Sequence, residues 1–157
     1  MLRAPDRWNL ESMTASSTIA ELVAAAKATI ENLDPDTVAR EARGNGPLLV
    51  DIREREELER HGTIDGAVHA PRGMLEFYAD LSSPYHRPEF EVDRRVILYC
   101  ASGGRSSLAV KALQALGYSN VAHLEGGFNA WKSGGHPTSP APGADPPSPR
   151  TDETGER

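Results

Sequence analysis

The chain has 157 residues, 38% of them hydrophobic, which is enough for one domain with a real core and too little for two. A net charge of -6 argues against nucleic acid or an anionic membrane as a partner. The lone cysteine, Cys100, excludes an internal disulfide, a multi-cysteine zinc site and an internal resolving thiol.

No stretch approaches the roughly 20 apolar residues of a membrane span. Residues 1–6 lack the apolar centre of a signal peptide, so a reducing, cytoplasmic setting is expected. Residues 1–17 carry no strong period and are read as a loosely ordered segment. Ile19, Leu22, Val23, Ala26 and Ile30 recur at helical spacing and predict an amphipathic helix. Asp34-Pro35 has the form of an N-cap followed by proline at the first helical position, opening a short helix that stops near Gly44. Residues 47–52 read as a buried strand with polar residues at its carboxyl end, and the charged run 54–60 as a helix closed by Gly62. Residues 63–71 predict a turn, a short strand and a stop. Met74, Leu75, Phe77 and Tyr78 predict a helix against the sheet, and residues 84–93 a connecting loop.

Val96 to Tyr99 is an uninterrupted apolar run, as in a parallel strand covered on both faces. Cys100-Ala101-Ser102-Gly103-Gly104-Arg105-Ser106 follows as a Gly-rich loop, and a helical period then runs from Ser106 to Gly117. This order holds a thiol at the carboxyl end of a strand, facing the amino end of a helix, where ligands bind in open α/β sheets. Loop amides and the helix dipole favour an anion there, and thiolate over thiol. Gly103 and Gly104 can adopt positive φ and leave space for an anion beside the backbone, while Ser102 is expected to hydrogen-bond the sulfur or face solvent, and Ser106 to cap the helix. Arg105, the only charge of the loop, would either dock an anionic ligand or pair with Asp51 or another carboxylate to hold the loop. Residues 94–124 contain no Asp or Glu, while Arg94, Arg95, Arg105 and Lys111 fall inside, which suits a small anionic substrate.

Asn120 to Leu124 reads as a last strand, and Gly126 to Trp131 as a turn into a helix anchored by Phe128 and Trp131. The body of the domain therefore covers residues 18–135, and residues 136–157, rich in Pro, Ser and Gly, are expected to be a disordered tail. Strands alternating with helices point to an α/β fold with a parallel sheet. Asp51 and Arg53, at a strand's carboxyl end, are expected to make structural ion pairs near the loop rather than to contact substrate. His61, His69, His86 and His123 show no common ligand spacing, so no metal is expected.

Three separated motifs give the chain a family resemblance. Leu49-Val50-Asp51-Ile52-Arg53-Glu54 with residues 61–68, the loop from Cys100 to Ser106, and Gly126-Gly127-Phe128-Asn129-Ala130-Trp131 resemble, in order and spacing, the rhodanese-like sulfurtransferases. The resemblance covers about residues 34–135, with Thr63 where many members have His. It implies a parallel central sheet of about five strands flanked by helices on both faces, and no cofactor. It also implies that Cys100 takes the outer sulfur of thiosulfate, or of a related small anionic donor, as a persulfide. The sulfur then passes to an external acceptor such as cyanide or a cellular thiol. Two other readings share this loop: a persulfide carrier with little turnover of thiosulfate, and a cysteine-dependent phosphatase or arsenate reductase. The phosphatase loops place five residues between Cys and Arg, whereas four intervene here.

Overall fold

A computed structural model of the chain describes residues 16–44 and 46–143. In chain order the elements are α1 (Ile19–Lys27), β1 (Glu31–Leu33), α2 (Pro35–Ala42), β2 (Leu48–Asp51), α3 (Arg55–His61) and β3 (Val68–His69). A single 3₁₀ turn (Arg72–Met74) then leads into α4 (Leu75–Ala79), β4 (Val96–Tyr99), α5 (Gly104–Ala115), β5 (Val121–Leu124) and α6 (Gly127–Ser133). The strands form one sheet in the order β1-β5-β4-β2-β3, and every pairing is parallel.

The apolar run of β4 explains the layering. Successive side chains of a strand point to opposite faces, so Val96 and Leu98 enter one core with Val110 and Leu113 of α5 and Leu75 of α4. Ile97 and Tyr99 enter the other with Val38 of α2 and Phe128 and Trp131 of α6. All four β4 residues are fully buried, as a central parallel strand between two helical layers requires. The expected five-stranded α/β sheet is therefore the fold.

β1 was not legible as a strand. Only Leu33 of its three residues is buried, and its place at the sheet edge comes from pairing Glu31, Asn32 and Leu33 with Ala122, His123 and Leu124 of β5. α1 packs against α5 and ends at Lys27, earlier than its period suggested, so that the chain can turn into this strand. The Asp34 cap stands as expected, its carboxylate accepting the Thr37 N–H at 2.8 Å.

The first residues of the segment expected to be a disordered tail are packed on the body. Thr63 and Ser139 exchange two backbone hydrogen bonds of 2.8 Å, Trp131 Nε1 donates to the Pro137 carbonyl at 2.8 Å, and the His136 ring lies 4.6 Å from that of Trp131. Low apolar content removes a core but not the carbonyls and amides that make such contacts. Residues 1–15 and 144–157, which hold the rest of both terminal expectations, lie outside the described residues.

The sheet topology fixes where a ligand would sit. β2 connects through α3 to β3 on one side, and β4 connects through α5 to β5 on the other. The carboxyl ends of the neighbouring strands β2 and β4 therefore flank the point where the connections diverge, the usual binding crevice of such sheets.

Candidate active site

Cys100 is the residue after β4, at that divergence. Its sulfur receives the Gly103 N–H at 3.2 Å and the Ser106 N–H at 3.3 Å, and its thiol faces Ser106 Oγ at 3.5 Å. The geometry corrects one expectation. Helix α5 begins at Gly104, so Arg105 and Ser106 belong to its first turn and Ser106 is not the cap. Cys100 Sγ itself accepts the amide of Ser106, one of the first-turn donors that a cap side chain ordinarily satisfies. Of the two loop glycines only Gly103 takes positive φ, +102°. That left-handed turn aims its N–H back at the sulfur, a conformation that costs L-residues with a Cβ roughly 1–2 kcal/mol.

Cys100 is 1% exposed, whereas Ser102 faces solvent and Ala101 and Gly104 are half-buried. The sulfur is closed from bulk water by the loop, yet two amides and the amino end of a twelve-residue helix converge on it. These donors suit a negative charge at that position.

Arg105 pairs with a carboxylate, the second of its two expected roles, and the partner is Glu57 of α3. Nη1 and Nη2 reach Oε2 and Oε1 at 2.8 and 3.0 Å. This two-bonded pair ties the helix after β2 to the helix after β4 across the crevice. The Arg105 hydrogen bonds hold the Glu57 carboxyl down at about 2, from an ordinary 4.5. A depressed carboxyl contributes stability that is whole above the unfolded value and is lost as pH falls through the folded one. Denaturation by urea should therefore give a stability difference between the wild type and Glu57→Gln that is constant near neutrality and shrinks from pH 4.5 toward 2. A difference unchanged over that interval would show that the pair does not stabilise the fold. Arg105 is 40% exposed, so water screens the pair and the effect is modest.

Asp51 and Arg53 form the expected ion pair, buried to 0% and 1% exposure. Arg53 Nε and Nη2 meet the two carboxylate oxygens at 3.0 and 2.7 Å. Asp51 also accepts the Arg53 N–H and the Thr63 hydroxyl. Arg53 donates further to the Gly62 carbonyl at 2.8 Å, and its guanidinium lies 4.3 Å from the centre of the Phe128 ring.

The third motif closes on the loop from the far side. Phe128 and Asn129 donate their N–H groups to the Cys100 and Ala101 carbonyls at 2.8 and 2.9 Å. Gly127, at φ +63°, leaves no room for a side chain: a Cβ there would stand 2.5 Å from the Ala101 carbonyl carbon and 2.6 Å from the Cys100 carbonyl oxygen.

Apart from Arg105, the cationic segment of the sequence does not gather at the sulfur. Arg95 lies at the amino end of β4, bonded to Glu31 and Glu41, and Arg94 bonds the Gly46 and Glu89 carbonyls. Lys111 reaches Thr29. An unforeseen cation, Lys27 of α1, stands beside the loop instead, its Nζ 3.5 Å from where a Gly103 Cβ would be and 2.9 Å from Glu125. His123, Asn32 and Glu57 were likewise missed as site residues. For His123 the signal was there: a polar residue inside a short buried strand must be satisfied by a neighbour. Among the described residues no group of His, Cys, Asp and Glu is arranged to hold a metal ion, and no helix is long and apolar enough to cross a membrane.

Comparison with known proteins agrees with this geometry. A family model described as the rhodanese-like domain matches residues 34–134. A sulfurtransferase of Allochromatium vinosum is 34% identical over 109 residues, covering 69% of this chain and 94% of that protein. The uncharacterized protein slr1261 of Synechocystis is 32% identical over 116 residues, 74% of this chain; the match spans 60% of that protein's length. Among solved structures, RPA3614 of Rhodopseudomonas palustris, described as of unknown function and a possible tyrosine phosphatase, has a TM-score of 0.74 at 41% identity. The likeness covers 80% of this chain and 96% of that one, and so extends beyond residues 34–134.

Proposed function

The chain belongs to the rhodanese-like family, and from that premise we propose that it is a sulfurtransferase whose nucleophile is Cys100 and whose donor is thiosulfate or a related small anion. The observation that carries the reading is the pair of N–H groups, from Gly103 and Ser106, directed at a sulfur held at the β2/β4 crevice. The sulfurtransferase of Allochromatium vinosum, matched over nearly its whole length, supports the same activity.

The Cys100 thiolate attacks the outer sulfur of thiosulfate. The sulfur–sulfur bond of the donor breaks, sulfite leaves with the electron pair, and Cys100 becomes a persulfide. Cyanide or a thiolate then attacks the outer sulfur and returns Cys100 to thiolate. Thiolate and persulfide are both anions, so one set of amide donors serves both states. Gly103 supplies the turn and Ser106 the second donor, while Ala101 receives the amide of Asn129 that fixes the loop. Ser102, exposed, and Gly104, half-buried, lie on the outer side of the loop that covers the sulfur, itself only 1% exposed. With two nitrogens of Arg105 spent on Glu57, its positive charge acts beside the loop as a fixed field that attracts an anionic donor. Asp51 and Arg53 support the loop through Phe128, which lies against the Arg53 guanidinium and donates its N–H to the Cys100 carbonyl.

Intact mass of the purified protein tests this directly. Thiosulfate should add the mass of one sulfur atom, cyanide should remove it with release of thiocyanate, and Cys100→Ser should gain nothing. Absence of the gain in the wild type, or hydrolysis of an aryl phosphate faster than sulfur transfer, would overturn the reading. A gain from a persulfidated protein but not from thiosulfate would make the chain a carrier.

A further inference from the structure

His123 is fully buried in β5, and its two ring nitrogens have partners that fix its hydrogens. Nε2 faces Asn32 Oδ1 at 2.7 Å and Glu125 Oε1 at 3.4 Å, both acceptors. The Asn32 amide is held in that orientation because its Nδ2 donates to the Lys27 and Ile30 carbonyls. Nε2 therefore carries the hydrogen, and in the neutral ring Nδ1 is an acceptor. Nδ1 lies 2.7 Å from Ser106 Oγ, so the Ser106 hydroxyl donates to it and turns its lone pairs toward Cys100 Sγ at 3.5 Å. The chain of donors runs Sγ–H to Oγ–H to Nδ1, with no break.

We propose that His123 is a positioning residue that stores the proton of Cys100, received through Ser106, so that the thiol ionises without surrendering its proton to water. The thiol proton passes to Ser106 Oγ as the Ser106 proton passes to His123 Nδ1. The products are a thiolate, a serine hydroxyl now turned toward the sulfur as a third donor, and an imidazolium; no outside reactant is needed. The imidazolium then donates from Nδ1 to Ser106 and from Nε2 to Asn32, facing the Glu125 carboxylate.

The groups around the ring balance narrowly. Burial pushes the His123 ring below its ordinary 6.5, Glu125 raises it and Lys27 of α1 lowers it. Burial is the largest of these, so it favours the neutral ring. The attraction of thiolate for imidazolium across one serine supplies the missing charge balance, stronger in a buried site than in water. Asn32 and Lys27 both precede residues 34–134, so the far end of this relay comes from outside the family match.

The inference rests on Cys100 being the reacting thiol, and its test uses no sulfur donor, so the two readings fail separately. Nitrogen NMR of labelled histidine should show His123 charged over the same pH interval in which thiolate absorbance reports Cys100 as ionised. In Cys100→Ala, His123 should be neutral from pH 6.5, its ordinary value, to about 8.5, that of a free thiol. In His123→Gln and Ser106→Ala the rate of Cys100 alkylation at pH 7 should fall about tenfold, because only the thiolate reacts. A purely structural histidine would lower stability and leave that pH profile in place. Should the variants not fold, the NMR comparison still decides: His123 neutral wherever Cys100 is ionised, or titrating alike with and without Cys100, overturns the proposal.

Discussion

Replacing Asp51 with alanine should cost about 3–5 kcal/mol, the penalty for breaking a buried ion pair and leaving one charge unpaired. Whole domains of this size are stable by only about 5–15 kcal/mol, so Asp51→Ala should be marginal or unfolded at room temperature. The cause is the charge left behind. Arg53 is 1% exposed and would keep only the Gly62 carbonyl and the faces of Phe128 and Tyr99 as company. The Thr63 hydroxyl and the Arg53 N–H would lose their acceptor as well. Removing the charge too should recover stability, so Asp51→Ala with Arg53→Leu should be more stable than Asp51→Ala alone. Urea denaturation of the three proteins checks this. A loss under 1 kcal/mol for the single variant, or a double variant no better than it, would mean that the pair is not the keystone between β2 and α6.

That pair was readable because its residues close an apolar strand with two opposite charges one residue apart. The loop was readable for a related reason: the run from Val96 to Tyr99, the glycines and the following period fix a strand, a turn and a helix, leaving Cys100 only one place to be. What stayed hidden depended on distance in three dimensions. Glu57 lies in a run where nearly every residue is charged, and nothing in α3 distinguishes it from Glu56 or Glu59. Its pairing with Arg105 arises only because α3 and α5 rise from adjacent strands. β1 has too little buried surface for a pattern, and its strand geometry is imposed by β5. Arg94 and Arg95 misled in the opposite direction. They are near Cys100 in the sequence, but a parallel strand carries them to the other end of the sheet from the sulfur. Proximity along a strand is distance across the molecule.

Gly127→Ala should nearly abolish sulfur transfer while leaving the sheet intact. The backbone at φ +63° costs a residue with a Cβ about 1–2 kcal/mol. That strain alone would be tolerated. The contact would not be, because the atoms 2.5–2.6 Å from the new carbon are the Cys100 and Ala101 carbonyl groups, which are backbone and cannot rotate away. Either α6 retreats, breaking the bonds from Phe128 and Asn129, or the loop shifts and carries the Gly103 and Ser106 amides off the sulfur. A displacement of about 1 Å at a reacting atom is enough for a loss of about 10²-fold. The thiosulfate–cyanide assay should therefore fall by about that factor. Alkylation of Cys100 separates the two routes. A rate at pH 7 that falls with the assay means the amides have moved off the sulfur, and an unchanged rate means α6 has yielded. Full activity with an unchanged melting temperature would show that the third motif does not brace the loop.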